Sequence, residues 1–166
     1  MRYTPFSADL FIKNRAKLYA QLPPKSIVVI SSNDIMPTNA DGTMGFRQNS
    51  DLFYLSGLDQ EETLLILYPD APEEQWREIA FVRETSELIE IWEGHKYTKE
   101  EATQISGIRN IQWTSNFDAL LKTVIYSAHH LYLTDNEHLR NASVVQTQNA
   151  RLGANWRNTY PNHAIG

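Results

Sequence analysis

Cysteine is absent from the 166 residues, which excludes a disulfide framework, a thiolate nucleophile, iron–sulfur clusters and cysteine-ligated zinc together. Long apolar runs are absent too. Runs such as residues 27–30 and 64–68 are strand-sized, against the roughly 20 residues a helix needs to span a bilayer. Asp9, Lys13, Asn14 and Arg15 break up the N-terminal region. No apolar stretch of about 7–15 residues therefore reads as a signal peptide, and a cytoplasmic protein is expected. Positive charge is short as well: 15 Lys and Arg against 20 Asp and Glu give a net charge of −5, and no cationic grouping exceeds a pair. Nothing supplies the field that draws a protein to nucleic acid or to an anionic membrane, and neither partner is expected.

Signatures of chemistry are equally scarce. There is no HExxH pair of helical metal ligands. His129 and His130 are adjacent and would point in different directions on regular structure, so they read as surface or core residues. Asn39-Ala40-Asp41-Gly42 has the look of a calcium loop, but setting Gly42 at the loop glycine puts Pro37 at the first ligand and Gln48 at the last, so the calcium reading fails. A turn remains. Asn141-Ala142-Ser143 has the form of a glycosylation acceptor, which without a secretory signal is a coincidence of composition. No GxGxxG, Walker loop or GxSxG supports nucleotide binding or the common serine-hydrolase arrangement.

What the chain does contain is material for one domain. At this length a fold hides about 68–70% of the surface exposed by its unfolded chain, and 42% hydrophobic residues supply a core. Ser7 is placed to cap a helix carrying Phe11, Leu18 and Leu22 on one face, stopped by Pro23-Pro24. Residues 26–32 (SIVVISS) read as a buried strand, followed by a long polar loop to about residue 50. Segments 52–55, 63–68 and 78–82 read as three more strands of a meander, with Pro69-Asp70-Ala71-Pro72 turning between the last two. Beyond Trp92-Glu93-Gly94 helix and strand alternate. Thr98 and Glu101 have capping-box spacing, residues 110–113 read as a strand, and residues 115–127 as a helix with Phe117, Leu120, Leu121, Val124 and Ile125 on one face. Residues 131–134 give a last strand, and a polar helix is expected from Asn136. Residues 151–166 show no period or capping signal and are expected to begin a linker. The order predicts an α/β fold, a mixed sheet flanked by helices on both faces.

One stretch is unlike ordinary core or loop: Phe46-Arg47-Gln48-Asn49-Ser50-Asp51-Leu52-Phe53-Tyr54-Leu55-Ser56-Gly57. As structure, Leu52 and Tyr54 against Phe53 and Leu55 would line two faces of a short strand, with Arg47 and Asp51 bracing the preceding loop. As function, Phe53 and Tyr54 would offer a flat apolar wall to a ring-shaped or proline-like side chain.

These residues carry a resemblance. Residues 46–58 resemble the FRQxSDFYYLTGF block, and Glu90-Ile91-Trp92-Glu93-Gly94 the ExWxG block, of the N-terminal domain of the Xaa-Pro aminopeptidase (aminopeptidase P) family, within the wider creatinase and prolidase group. Phe6 with the helix bearing Arg15, Leu18 and Leu22 is similar to that family's opening. The resemblance implies a ribonuclease-H-like creatinase N-terminal fold over residues 1–150, with 151–166 starting toward a catalytic domain outside this chain. It implies a cytoplasmic hydrolase, a metalloprotease that removes the residue before proline from peptides with proline in second position. Its C-terminal "pita-bread" domain would hold two divalent metal ions, usually manganese, on two Asp, one His and two Glu around a hydroxide nucleophile. This chain would then bind no cofactor and carry no catalytic or metal residue. Its part would be to shape the substrate cleft and the contacts of a homo-oligomer through Arg47, Asp51, Phe53, Tyr54, Trp92, His95 and Lys96. His95 and Lys96 stand where many relatives carry cleft-facing arginines, whose bidentate fork neither reproduces. The fold likeness does not extend to nuclease activity.

Two alternatives stay open at this point. One is a free-standing peptide- or protein-binding module derived from the fold. The other keeps a two-domain enzyme but turns it to dipeptides or creatine-like amidines.

Overall fold

Strands that are apolar on both faces must be covered on both, and the computed structural model, which describes residues 6–39, 42–134 and 146–165, is built around such strands. All six residues of β1 (Ser26–Ser31) and all four of β2 (Leu64–Leu67) are buried, the pattern of strands sandwiched between helical layers. With β3 (Glu78–Val82), β4 (Asn110–Trp113), β5 (His130–Leu133) and β6 (Ala164–Ile165) they form a six-stranded sheet in the order β4-β3-β2-β1-β5-β6. β1, β2 and β3 make an antiparallel meander, β5 adds parallel to β1 on its other side, and β6 adds parallel to β5. This is the mixed, ribonuclease-H-like arrangement expected from the sequence, widened by β4 parallel to β3.

The helices are α1 (Ala8–Tyr19), α2 (Ser50–Ser56), α3 (Glu87–Glu93), α4 (Lys99–Ser106), α5 (Phe117–Ile125) and α6 (Gln148–Thr159). Register places Val29 opposite Ile66, Ile66 opposite Ile79, and Ile27 opposite Leu131. That row packs with Leu121, Val124 and Ile125 of α5 and Trp156 of α6. The other parity, Val28, Ile30, Leu65 and Ala80, packs with Leu52 and Leu55 of α2 and Ala102 of α4. Ser7 caps α1 by accepting from the Asp9 N–H, and Thr98 and Glu101 form the expected capping box on α4.

Three segments differ from the sequence expectations. Residues 52–55 are helical, not a strand: Asn49 accepts from the N–H groups of Asp51 and Leu52, and Gly57, at φ 71°, ends the helix after two turns. Leu52 and Leu55 share the buried face at i, i+3, which four alternating apolar residues cannot distinguish from a strand. Residues 87–93 form α3, capped by the Ser86 hydroxyl on the Ile89 N–H. Residues 151–166, expected to begin a linker, instead carry α6 and β6, with Trp156 and Tyr160 buried in the core under α5. The helix expected from Asn136 is seen from Gln148; its earlier part and the Asn141 sequon lie outside the described residues, as do Ala40 and Asp41 of the expected turn. The flanks of that turn are joined by a Pro37–Thr43 bridge and by the Thr38 N–H donating to the Gly42 carbonyl at 2.8 Å. No described helix is long and apolar enough to cross a membrane.

Candidate functional site

The segment from Phe46 to Gln60 is held by its amides and hydroxyls. Gln48 donates through Nε2 to the carbonyls of Leu58 (3.1 Å) and Gln60 (2.9 Å), while its Oε1 accepts from the Asn49 N–H (2.8 Å). One side chain thereby joins the entry of α2 to its exit. From α1, Asn14 Nδ2 donates to the Tyr54 carbonyl at 2.8 Å, and Arg15 Nη1 to the carbonyls of Leu55 (2.8 Å) and Ser106 (2.9 Å). The last turns of α2 and α4 thus share one buried guanidinium, placed at the negative ends of both helix dipoles. Arg15 Nε pairs with Glu78 Oε1 at 3.0 Å, and the Tyr19 hydroxyl donates to the same oxygen at 2.7 Å. Burial, reinforced by the Glu78 carboxylate, pushes the Tyr19 phenol far above its ordinary range, so it stays a donor.

Within this frame the site residues expected from the sequence fall into two groups. Around α2, Arg47 and Asp51 are exposed, and among the described residues neither enters an ion pair. They do not brace the loop as expected; the link there is Asn33 Nδ2 donating to the Arg47 carbonyl at 3.0 Å. Phe53 is half-buried and packs edge-on against Phe11, ring centroids 6.1 Å apart. Phe11 in turn meets Phe6 at 6.5 Å. Tyr54, the next residue on the helix, is 49% exposed. The two rings therefore form no continuous wall, because Phe53 turns back into the α1–α2 contact.

Trp92 lies on α3, and His95 and Lys96 follow its end at Gly94. None of that helix's residues is buried. Leu88, Ile91 and Trp92, at i, i+3 and i+4, are 69%, 78% and 81% exposed, an apolar ridge facing solvent. What holds α3 is charge. Arg83, just past β3, forks onto Glu93, with Nη1 2.7 Å from Oε2 and Nη2 3.0 Å from Oε1. His95 lies between Glu90 and Glu101. Lys96 is buried and ion-paired with Glu61, which also lies 3.7 Å from Arg83. Burial alone would raise the Glu61 carboxyl, but the Lys96 hydrogen bond, with Arg83 behind it, brings it below the ordinary value. Gln60 Oε1 accepts from the Tyr97 N–H at 2.7 Å, tying the end of the α2 segment to this cluster.

A cleft of about 460 Å³ opens at the carboxyl end of β1, lined by Ser32, Asp34, Met44, Arg47, Thr147 and Asn149 among others. β1 has an antiparallel neighbour on one side and a parallel one on the other. Of the cleft's polar groups, Asp34 pairs with Arg151 at 3.0 Å, and Asn149 takes the Ser31 hydroxyl and donates to Thr134, while the buried Ser32 hydroxyl has no hydrogen-bond partner among the described residues. Among the described residues no group of three or more His, Asp or Glu side chains could hold a metal ion. The metal pair that the sequence resemblance implies is assigned by it to residues outside this chain.

Sequence reasoning passed over Arg15 and Gln48 as organisers, because their partners lie 40 to 91 and 10 to 12 residues away. It also passed over Glu61, Glu90 and Glu101, the acidic partners of Lys96 and His95; only the capping-box spacing of Glu101 gave a local signal.

Comparison with known proteins places this geometry. Residues 11–132 match the family described as "Aminopeptidase P, N-terminal domain". The chain is 27% identical over 128 residues to an Xaa-Pro aminopeptidase of Haemophilus influenzae, covering 77% of this chain and 29% of that protein. It is 31% identical over 115 residues to intermediate cleaving peptidase 55 of Saccharomyces cerevisiae, covering 68% of this chain and 20% of that protein. Among solved structures, aminopeptidase PepP of Pseudomonas aeruginosa superposes with a TM-score of 0.77 at 21% identity, over 96% of this chain and 34% of its own. A structure described as an aminopeptidase P from Bacillus anthracis does so with a TM-score of 0.87 at 24% identity, over 97% of this chain and 38% of its own. The chain thus spans less than two fifths of the length of each of these proteins.

Proposed function

Because this chain belongs to the aminopeptidase P N-terminal domain family, we propose that it is the non-catalytic part of a manganese-dependent Xaa-Pro aminopeptidase. The full enzyme would remove the first residue from peptides with proline in second position. The two divalent ions would be held on residues outside this chain and would supply the activated hydroxide. This chain would shape the substrate cleft and the interface of a homo-oligomer, with Arg47, Asp51, Tyr54 and Trp92 on the exposed side. Phe53 would act from behind, by positioning α2. A cytoplasmic setting suits the cysteine-free composition.

The observation that carries the interface part of this reading is the bare ridge of α3. A helix with Leu88, Ile91 and Trp92 all more than two thirds exposed is a surface that gains by being covered. The deciding experiment compares the 166-residue chain with the full-length gene product on a proline-second peptide, with and without manganese. Turnover by the longer protein alone, lost on metal removal, supports the proposal; saturable turnover by this chain alone overturns it. A second reading draws on the same ridge: a free-standing module that docks a peptide or protein. It is favoured if the native polypeptide proves to be no longer than this one.

A further inference from the structure

The two ring nitrogens of His95 both face carboxylates. Nδ1 lies 2.9 Å from Glu90 Oε1 of α3, and Nε2 lies 3.0 Å and 3.1 Å from the two oxygens of Glu101 on α4. A neutral imidazole has one N–H and one lone pair, so it can satisfy only one of these contacts and turns its lone pair on the other carboxylate. Imidazolium, with two N–H donors, satisfies both. The bridging geometry is thus specific to the protonated ring. It also sits at a mechanical weak point. α3 contributes nothing to the core, ends at Gly94 with φ 83°, and is fastened otherwise by the Arg83–Glu93 fork.

We infer that His95 is a proton-operated latch that fastens α3 to the first turn of α4 and so sets the orientation of the Leu88–Ile91–Trp92 ridge. The charged groups around it fit this assignment. On its own segment the neighbouring cation, Lys96, is committed to Glu61. From α3, Glu90 faces it while Glu93 is held by Arg83. From α4, Glu101 faces it and its Oε2 also accepts from the Thr98 N–H, whereas Lys99 lies over the Trp113 ring. From the end of β3, Arg83 is engaged by Glu93, Glu61 and Glu62. Among the described residues, carboxylates alone therefore meet the imidazole.

The Glu90 hydrogen bond first, and the charge of Glu101 next, hold the His95 pKa above its ordinary value of 6.5. A raised folded value means that the stabilisation is complete below the unfolded pKa and is lost as pH rises through the folded one. α3 is thus fastened below the ordinary imidazole value and released as pH rises through the higher folded one. The use of the latch rests on reading α3 as a docking ridge, but its existence does not, and the test separates the two.

The test is amide hydrogen exchange of the 166-residue chain at pH 6 and pH 8.5, expressed as protection relative to the intrinsic rate at each pH, with His95 followed by imidazole nitrogen resonances. Protection over residues 87–94 should fall about two- to five-fold at the higher pH, the scale of exposed ion pairs, while that of α5 is unchanged. His95→Gln should show the lower protection at both pH values. His95→Arg, charged throughout, should restore the higher protection at both. Equal wild-type protection at the two pH values, or a pH dependence that survives in His95→Gln, overturns the latch. Both outcomes are read in the free chain, whether or not anything docks on α3.

Discussion

Arg15 and Glu78 meet 3.0 Å apart across the α1–sheet boundary, with Arg15 only 1% exposed. The pair matters less for its own attraction than for what the arginine does with its other nitrogen, which closes the ends of two helices. Arg15→Ala should lower unfolding stability by about 3 kcal/mol, as when one partner of a buried pair is removed. Arg15→Lys should recover only part of this, since a point charge cannot reach three acceptors in a fork. Urea midpoints read at unchanged m-value report the difference; a midpoint shift in Arg15→Ala as small as that of a surface variant refutes the shared-cap role.

Gly57 is the tightest point of the α2 segment. A Cβ there would lie 2.3 Å from the Phe11 ring, at a positive φ of 71°. Gly57→Ala should cost about 2–4 kcal/mol, combining overpacking with left-handed strain. Phe11→Leu, which frees space, should return part of the loss in the double variant. Additive costs in that cycle contradict the steric account.

Phe53 and Tyr54 are neighbours with different duties. Phe53→Ala should destabilise the domain by about 2 kcal/mol through its half-buried contact with Phe11. Tyr54→Ala should change stability by less than about 0.5 kcal/mol. An effect of Tyr54→Ala on handling of proline peptides by the full-length enzyme, with stability unaltered, would place Tyr54 at the cleft. Loss of stability in both variants argues that both rings serve packing alone.

Removing the indole of Trp92 should leave the free chain within about 0.5 kcal/mol of the original, because no neighbour buries it. If α3 is an interface, the same change in the full-length protein should lower its assembled mass in sedimentation at a fixed concentration. Wild-type sedimentation by full-length Trp92→Ala removes this residue from the interface proposal.

Acid should weaken the Lys96–Glu61 pair. The Glu61 carboxyl lies below its ordinary 4.5 in the folded state, so its contribution is present above that value and vanishes as pH falls through the folded one. The stability gap between wild type and Glu61→Gln should be widest near pH 6–7 and close toward pH 3. A gap that widens in acid reverses the assignment.

How far the sequence discloses all this depends on how local each signal is. β1 follows from a short β-branched run and β2 to β5 from short apolar segments bounded by turns, and the capping box of α4 from four residues. α2 does not, since its two turns carry an alternation that suits a strand equally well. α6 hides because its anchorage is one large side chain, Trp156, rather than a stripe. At the candidate site, Trp92, His95 and Lys96 stand close in sequence. Glu101 is announced only by its capping-box spacing, and Glu61, 35 residues from Lys96, is set by the return of the chain. Arg47 and Asp51, with suitable charges four residues apart, do not pair; Arg47 precedes the N-cap Asn49, so the helical i, i+4 spacing does not reach it.

At its β4 edge the sheet ends in a strand of four residues. An edge that short presents few open N–H and C=O groups for another chain to copy. Strand addition at this edge is therefore a poor route for another chain to attach.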